Sequence, residues 1–102
     1  MIFKMFSTTA ANESGQALAK IVVSFVPKVP DKTDITYNKK LNSAMRKLKQ
    51  QIDWLKVQHR FNVYQKAKLG NTFRWNLLDA GYEANYAKDL TQWVLVQFNS
   101  LK

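Results

Sequence analysis

The chain has 102 residues, with 16 Lys and Arg against 7 Asp and Glu for a formal charge of +9, and it is 46% hydrophobic and 13% aromatic. That length supports one domain, and the apolar fraction supports a packed core despite the charge, which argues against intrinsic disorder. The absence of Cys removes disulfide scaffolds, thiolate metal sites and cysteine nucleophiles, and a single His argues against a His-rich metal centre or a Ser/His triad.

At the N-terminus, Ile2 to Phe6 fits a short strand and Thr8 to Gly15 a polar loop. The stretch Ala17 to Val26 reads two ways. Ala17, Leu18, Ile21, Val22 and Phe25 share a helical face with Ser14 as cap. The β-branched run Ile21, Val22, Val23 and the extended Pro27-Lys28-Val29-Pro30 suit instead a strand pairing with residues 2–6. The helix is favoured, because Gln16-Ala17-Leu18-Ala19-Lys20 precedes the β-branched run. No apolar run here is long enough to span a bilayer or is laid out as a secretory signal, so a cytoplasmic protein without membrane association is the expectation. Pro27 to Asp34 reads as a linker.

Thr36 to Leu69 contains neither Gly nor Pro and is rich in Lys, Gln, Leu, Ala and Met, which predicts one long helix. Pro30, Asp31, Thr33 and Asp34 supply its start, and Gly70 with Asn71 its stop. Leu41, Met45, Leu48, Ile52 and Leu55, continued by His59 and Val63, alternate spacings of four and three and form the core stripe. Trp54, Val57, Phe61 and Tyr64 lie opposite that stripe, so the later half of the helix has two apolar faces. In the earlier half, Lys39, Arg46 and Lys47 occupy the back, and Lys49, Lys56 and Arg60 share one flank.

Phe73 to Ala80 reads as a short helix capped by Asn71 or Thr72 and closed by Gly81. From Tyr82 to Leu101 a further helix is predicted, with Tyr86, Leu90, Trp93, Val94, Gln97, Phe98 and Leu101 on a wide apolar arc and Lys88, Gln92 and Asn99 opposite. Its natural partner is the core stripe of the long helix. The fold class is therefore mainly α: one domain in which a long basic helix packs against a C-terminal amphipathic helix, covered by an N-terminal helix or two-stranded β element. The alternative is α+β.

The charge is unevenly distributed. Residues 39–74 hold ten cations against Asp53 alone, whereas residues 1–38 sum to +1 and residues 75–102 to −1. These cations, interleaved with Trp54, Phe61, Tyr64, Phe73 and Trp75, combine phosphate neutralisation with stacking surfaces. The expected function is non-enzymatic binding of DNA or RNA, with Lys39, Arg46, Lys47, Lys49, Lys56, Arg60, Lys68 and Arg74 at phosphates and Trp54, Phe61 and Tyr64 for stacking or an interface. The competing class is a protein-interaction module, a homodimer or a binder of an acidic protein.

Other motifs carry less. Lys68-Leu69-Gly70-Asn71 lacks the Gly-rich spacing and the Lys-Ser/Thr ending of a phosphate loop and reads as a helix stop. A helix-turn-helix around Gly81 would offer Glu83 and Asp89 to the phosphates, and Leu77 is bulky where two helices would have to cross closely. His59 lies on the core stripe and reads as structural. Asp79, Glu83 and Asp89 form no acid/base pair and read as caps or solvated residues. No cofactor, metal site or catalytic constellation is expected.

Overall fold

The computed structural model describes residues 8–28 and 33–100. They form four helices, α1 (Thr9–Phe25), α2 (Ile35–Gln58), α3 (Val63–Asp79) and α4 (Ala84–Asn99). The protein is mainly α-helical, and no strand occurs among the described residues. The strand expected at Ile2 to Phe6 lies outside them.

The helical reading of residues 17–26 holds, but α1 begins earlier than expected, at Thr9, and replaces the polar loop. Buried Ala11, Gly15, Leu18 and Val22 recur at spacings of four, three and four, and this period overrides the β-branched preference of Ile21 to Val23. Ser14 is not a cap, since it is buried inside the helix. Gly15 sits against α3: a Cβ there would stand 2.7 Å from the Leu69 carbonyl oxygen and 3.2 Å from the Phe73 nitrogen. Thr72 Oγ1 donates to Asn12 Oδ1 beside this contact. The two backbones approach closely because no side chain separates them.

Asp34 caps α2 by accepting from the Thr36 N–H at 2.9 Å, as its turn chemistry implied. The long helix expected over 36–69 is corrected: it stops at Gln58, and His59 adopts extended backbone (φ −133°, ψ 137°). The break needs neither Gly nor Pro, because Asn62 opens a new helix through a capping box. Its Oδ1 accepts from the Gln65 N–H at 2.8 Å, while Gln65 Oε1 accepts from the Asn62 N–H at 3.0 Å. Phe61 then turns inward, stacked on His59 with ring centroids 5.0 Å apart and tilted against Phe98 at 6.1 Å.

Gly70 and Asn71 are accordingly not a stop, and Phe73 to Ala80 is not a separate helix: both belong to α3. The stop is Gly81, with φ +104°. The Gly81 N–H donates to Leu78 O and the Tyr82 N–H to Leu77 O, at 3.0 and 3.1 Å, closing α3 with the paired bonds of a Schellman motif. Glu83 caps α4 by accepting from the Asn85 N–H.

The contacts fix the topology. Gly15 against Leu69 and Phe73, and Tyr82 against Val22 and Val26, set α1 parallel to α3. Tyr37 against Tyr86, and Lys56 against Gln97, set α2 parallel to α4. Helix α1 also packs on α2, and α3 on α4, both antiparallel, so each helix has two neighbours and α2 and α3 lie diagonally. The core is Leu18 and Val22 of α1, Ala44, Leu48, Ile52 and Leu55 of α2, Leu69, Phe73 and Leu77 of α3, and Leu90, Val94 and Phe98 of α4. The apolar arc expected for α4 points inward from Tyr86 to Phe98, with Lys88, Gln92 and Asn99 exposed and Leu101 outside the described residues, but α4 packs more extensively on α3 than on α2.

Tyrosines tie one end of the bundle together. The Tyr82 hydroxyl bonds to the Val22 and Val26 carbonyls, its ring stacks on Tyr86, and the Tyr86 hydroxyl meets that of Tyr37 at 2.8 Å. Burial pushes the Tyr82 and Tyr86 phenols up from their ordinary value, and for Tyr86 the Tyr37 hydrogen bond adds to the shift.

Candidate nucleic-acid interface

The break at residues 59–62 divides the contiguous basic segment between two helices on opposite sides of the bundle. The fold therefore distributes the expected phosphate contacts over separate places.

Lys39, Arg46 and Lys47, with Lys40, are exposed on α2, because the inward stripe of that helix is occupied by Tyr37, Ala44, Leu48, Ile52 and Leu55. The Lys47 ammonium stands 5.4 Å from the centroid of the Phe25 ring, a cation–π contact that orients it toward α1. Arg46 reaches back to Ser43 Oγ at 3.4 Å. Lys49 differs from these in being paired with Asp53 at 2.8 Å, the one ion pair among the described residues.

Lys56 and Lys66 are held at the C-terminal end of α4. Lys56 Nζ donates to Gln97 O at 3.2 Å, Ser100 O at 2.9 Å and Ser100 Oγ at 3.2 Å, and Lys66 Nζ donates to Asn99 Oδ1 at 2.8 Å. Carbonyls at a helix C-terminus lack intrahelical donors and carry partial negative charge, so the Lys56 ammonium supports the fold there, and Lys66 is held beside it by the Asn99 side chain. Arg60 is exposed beside them, and a small hollow of about 140 Å³ lies among Lys56, Arg60, Lys66, His59 and Phe61.

Lys68 and Arg74 are exposed on α3. Arg74 joins Lys88 at a groove of about 500 Å³ between α3 and α4, floored by Gly70 and Leu95 and edged by Asn71 and Gln92.

The opposed aromatic face expected from Trp54, Val57, Phe61 and Tyr64 does not exist as one surface. Phe61 is half-buried in the connection, Tyr64 and Val63 are exposed on α3, and Trp54 and Val57 remain exposed on α2. Val63 thereby leaves the core stripe to which its spacing assigned it, since the stripe ends with α2 and only His59, half-buried, continues it. Trp54 lines a groove of about 590 Å³ between α1 and α2 with Lys20, Ser24, Lys47, Gln50 and Gln51. Of the other aromatics interleaved with the cations, Trp75 is 62% exposed and Phe73 is buried in the core. Lys20 is not among the residues that the charge distribution picks out, because it lies in a segment of little net charge.

Among the described residues, no three His, Cys, Asp or Glu side chains gather as a metal site would require, and no helix is long and apolar enough to cross a membrane. No protein-family model, curated protein or solved structure matches the chain.

Proposed function

We propose that the protein binds nucleic acid without catalysing a reaction, contacting the phosphate backbone through the outward side of α2. The observation that supports this reading is the exposed row Lys39, Lys40, Arg46 and Lys47, on a helix whose sole acid, Asp53, lies beyond it and is paired with Lys49. The row spans about 12 Å of helix, more than three base-pair steps of a strand. Flexible cations at phosphates release counterions and read no base edge, so binding of this kind is sequence-independent.

Titration of labelled duplex and single-stranded oligonucleotides over a range of salt tests the reading. Four phosphate contacts give a log–log slope of about −3 to −4 on duplex. Lys39→Gln combined with Arg46→Gln halves that slope and weakens binding without lowering the melting temperature. Absence of salt-sensitive binding to either polymer at low salt defeats the proposal.

A second reading, a protein-interaction surface, is favoured by α3, where Val63, Tyr64 and Trp75 are exposed near Lys68 and Arg74. Aromatic anchors beside cations are typical of interface hot spots. An acidic partner fits better than a second copy, because a two-fold pairing would set Lys68 and Arg74 against themselves. Sedimentation is expected to give a monomer, and a dimer dissociated by Trp75→Ser would overturn that choice of partner.

A further inference from the structure

We infer that the groove between α1 and α2 is a slot for an unpaired nucleobase, which makes single-stranded nucleic acid the preferred ligand. This rests on the phosphate-contact reading of α2 and adds the substrate class to it.

Trp54 stands in the seam between the two helices, 53% exposed, and lines a hollow on either side of it. The two hollows differ in chemistry. Toward Lys47 lies the groove of about 590 Å³, within the usual range for small-ligand sites. Its charged residues are Lys20 and Lys47, with no acid among the described residues that line it, and Ser24, Gln50 and Gln51 add a hydroxyl and two amides. Toward His59 lies a smaller hollow of about 260 Å³ that contains Glu13. A phosphate beside Trp54 is therefore drawn to the Lys20 and Lys47 side and repelled from the other.

The residue types match the demands of a strand. An indole face stacks on any base, two ammonium groups neutralise the flanking phosphates, and amide side chains both donate and accept, so they serve any base edge. Bases in a duplex are paired and stacked on each other and have no face to offer Trp54. Lys47 belongs both to the α2 row and to the groove, so a strand lying along Lys39, Arg46 and Lys47 reaches the slot without leaving the basic surface. The contact of Lys47 with the Phe25 ring holds its ammonium at the mouth of the groove.

The test uses the full chain with an oligothymidylate of about ten nucleotides, a hairpin duplex and thymidine monophosphate, followed by anisotropy and tryptophan fluorescence. The single strand is expected to bind more tightly than the hairpin and to quench fluorescence. Trp54→Leu is expected to weaken the single strand by about 5- to 150-fold, the worth of one stacked base, and to leave the hairpin within about twofold. Trp54→Phe restores most of the loss, and a thermal melt of each variant reports the fold. Lys20→Gln, on the exposed side of α1, lowers the single-strand salt slope by about 0.7 and leaves the hairpin slope unchanged.

The slot is overturned if Trp54→Leu leaves single-strand affinity intact while Lys39→Gln with Arg46→Gln still weakens both polymers, a result under which the phosphate reading survives. Loss of salt-sensitive binding to both polymers removes the phosphate reading and the slot together. Thymidine monophosphate binding as tightly as the oligonucleotide overturns the strand as ligand and assigns the groove to a free nucleotide.

Discussion

The same substitution, Gly to Ala, is expected to act in opposite directions at the two glycines buried in helices. A Cβ at Gly15 would stand 2.7 Å from Leu69 O, 3.0 Å from Thr72 Cβ and 3.2 Å from Phe73 N. Two of these three neighbours are backbone atoms of α3 and have no rotamer to change, so α1 and α3 must move apart along their length. Overpacking of a core costs about 1–3 kcal/mol, and a rigid neighbour puts this case in the upper part of the range. The gain in helix propensity returns about 1 kcal/mol, for a net loss of about 1–2 kcal/mol. At Gly70 the added Cβ meets only the end of the Leu95 side chain, at 3.2 to 3.5 Å. Leu95 is half-buried at the edge of a groove and can shift, so Gly70→Ala keeps most of the propensity gain, about 0.5–1 kcal/mol. Thermal unfolding followed by circular dichroism should show Gly15→Ala about 5–15 °C below and Gly70→Ala about 2–8 °C above the parent. A Gly15→Ala protein that melts at or above the parent would refute the close approach of α1 to α3.

Asn62→Ala removes one arm of the capping box and should cost about 1 kcal/mol, read from urea unfolding; an unchanged midpoint would mean that the break at residues 59–62 is held by other contacts. Lys56→Met should lower stability by about 1 kcal/mol, through the lost bonds to the α4 C-terminus, and leave nucleic-acid affinity within about twofold, whereas Arg46→Gln should do the reverse. Equal effects of the two on binding would place Lys56 at a phosphate. The raised Tyr82 and Tyr86 phenols make stability pH-dependent at the alkaline end. A group whose value is raised on folding contributes fully below its unfolded value of about 10 and loses that contribution as the pH climbs above it. Melting temperature should therefore hold up to about pH 10 and fall beyond it, less steeply in Tyr86→Phe, and an identical fall in that variant would take Tyr86 out of the effect.

What the sequence disclosed about the fold depended on whether the signal was local. The core positions Leu48, Ile52 and Leu55, the Asp34 cap, the Gly81 stop and the apolar arc of α4 all follow from spacing or from turn chemistry within a few residues. The break at 59–62 was also written locally, since Asn62 and Gln65 have capping-box spacing, but an unbroken hydrophobic period running through His59 and Val63 masked it. Gly15 and Gly70 misled for a different reason. A glycine signals a loop or a stop when only its backbone freedom is considered, yet both lie inside helices because a neighbouring element needs the space. That requirement belongs to the partner helix and is not visible in the flanking residues.

The candidate site was less legible than the fold, because charge along a chain and charge on a surface are different quantities. Counting residues 39–74 as one basic unit assumes one continuous helix. Once the chain turns at His59, Lys68 and Arg74 pass to the side away from α2, Lys56 and Lys66 are drawn to the carbonyl end of α4, and Lys49 is neutralised by Asp53. The outward side of α2 then retains Lys39, Lys40, Arg46 and Lys47, and it gains Lys20 from a segment whose own net charge is +1. Lys20 and Trp54 are far apart in sequence and line one groove only because α1 packs antiparallel on α2. A salt slope on duplex near −9 would require all ten cations of the segment to reach one ligand, which this topology forbids, so the slope measures the arrangement of the helices as well as the strength of binding.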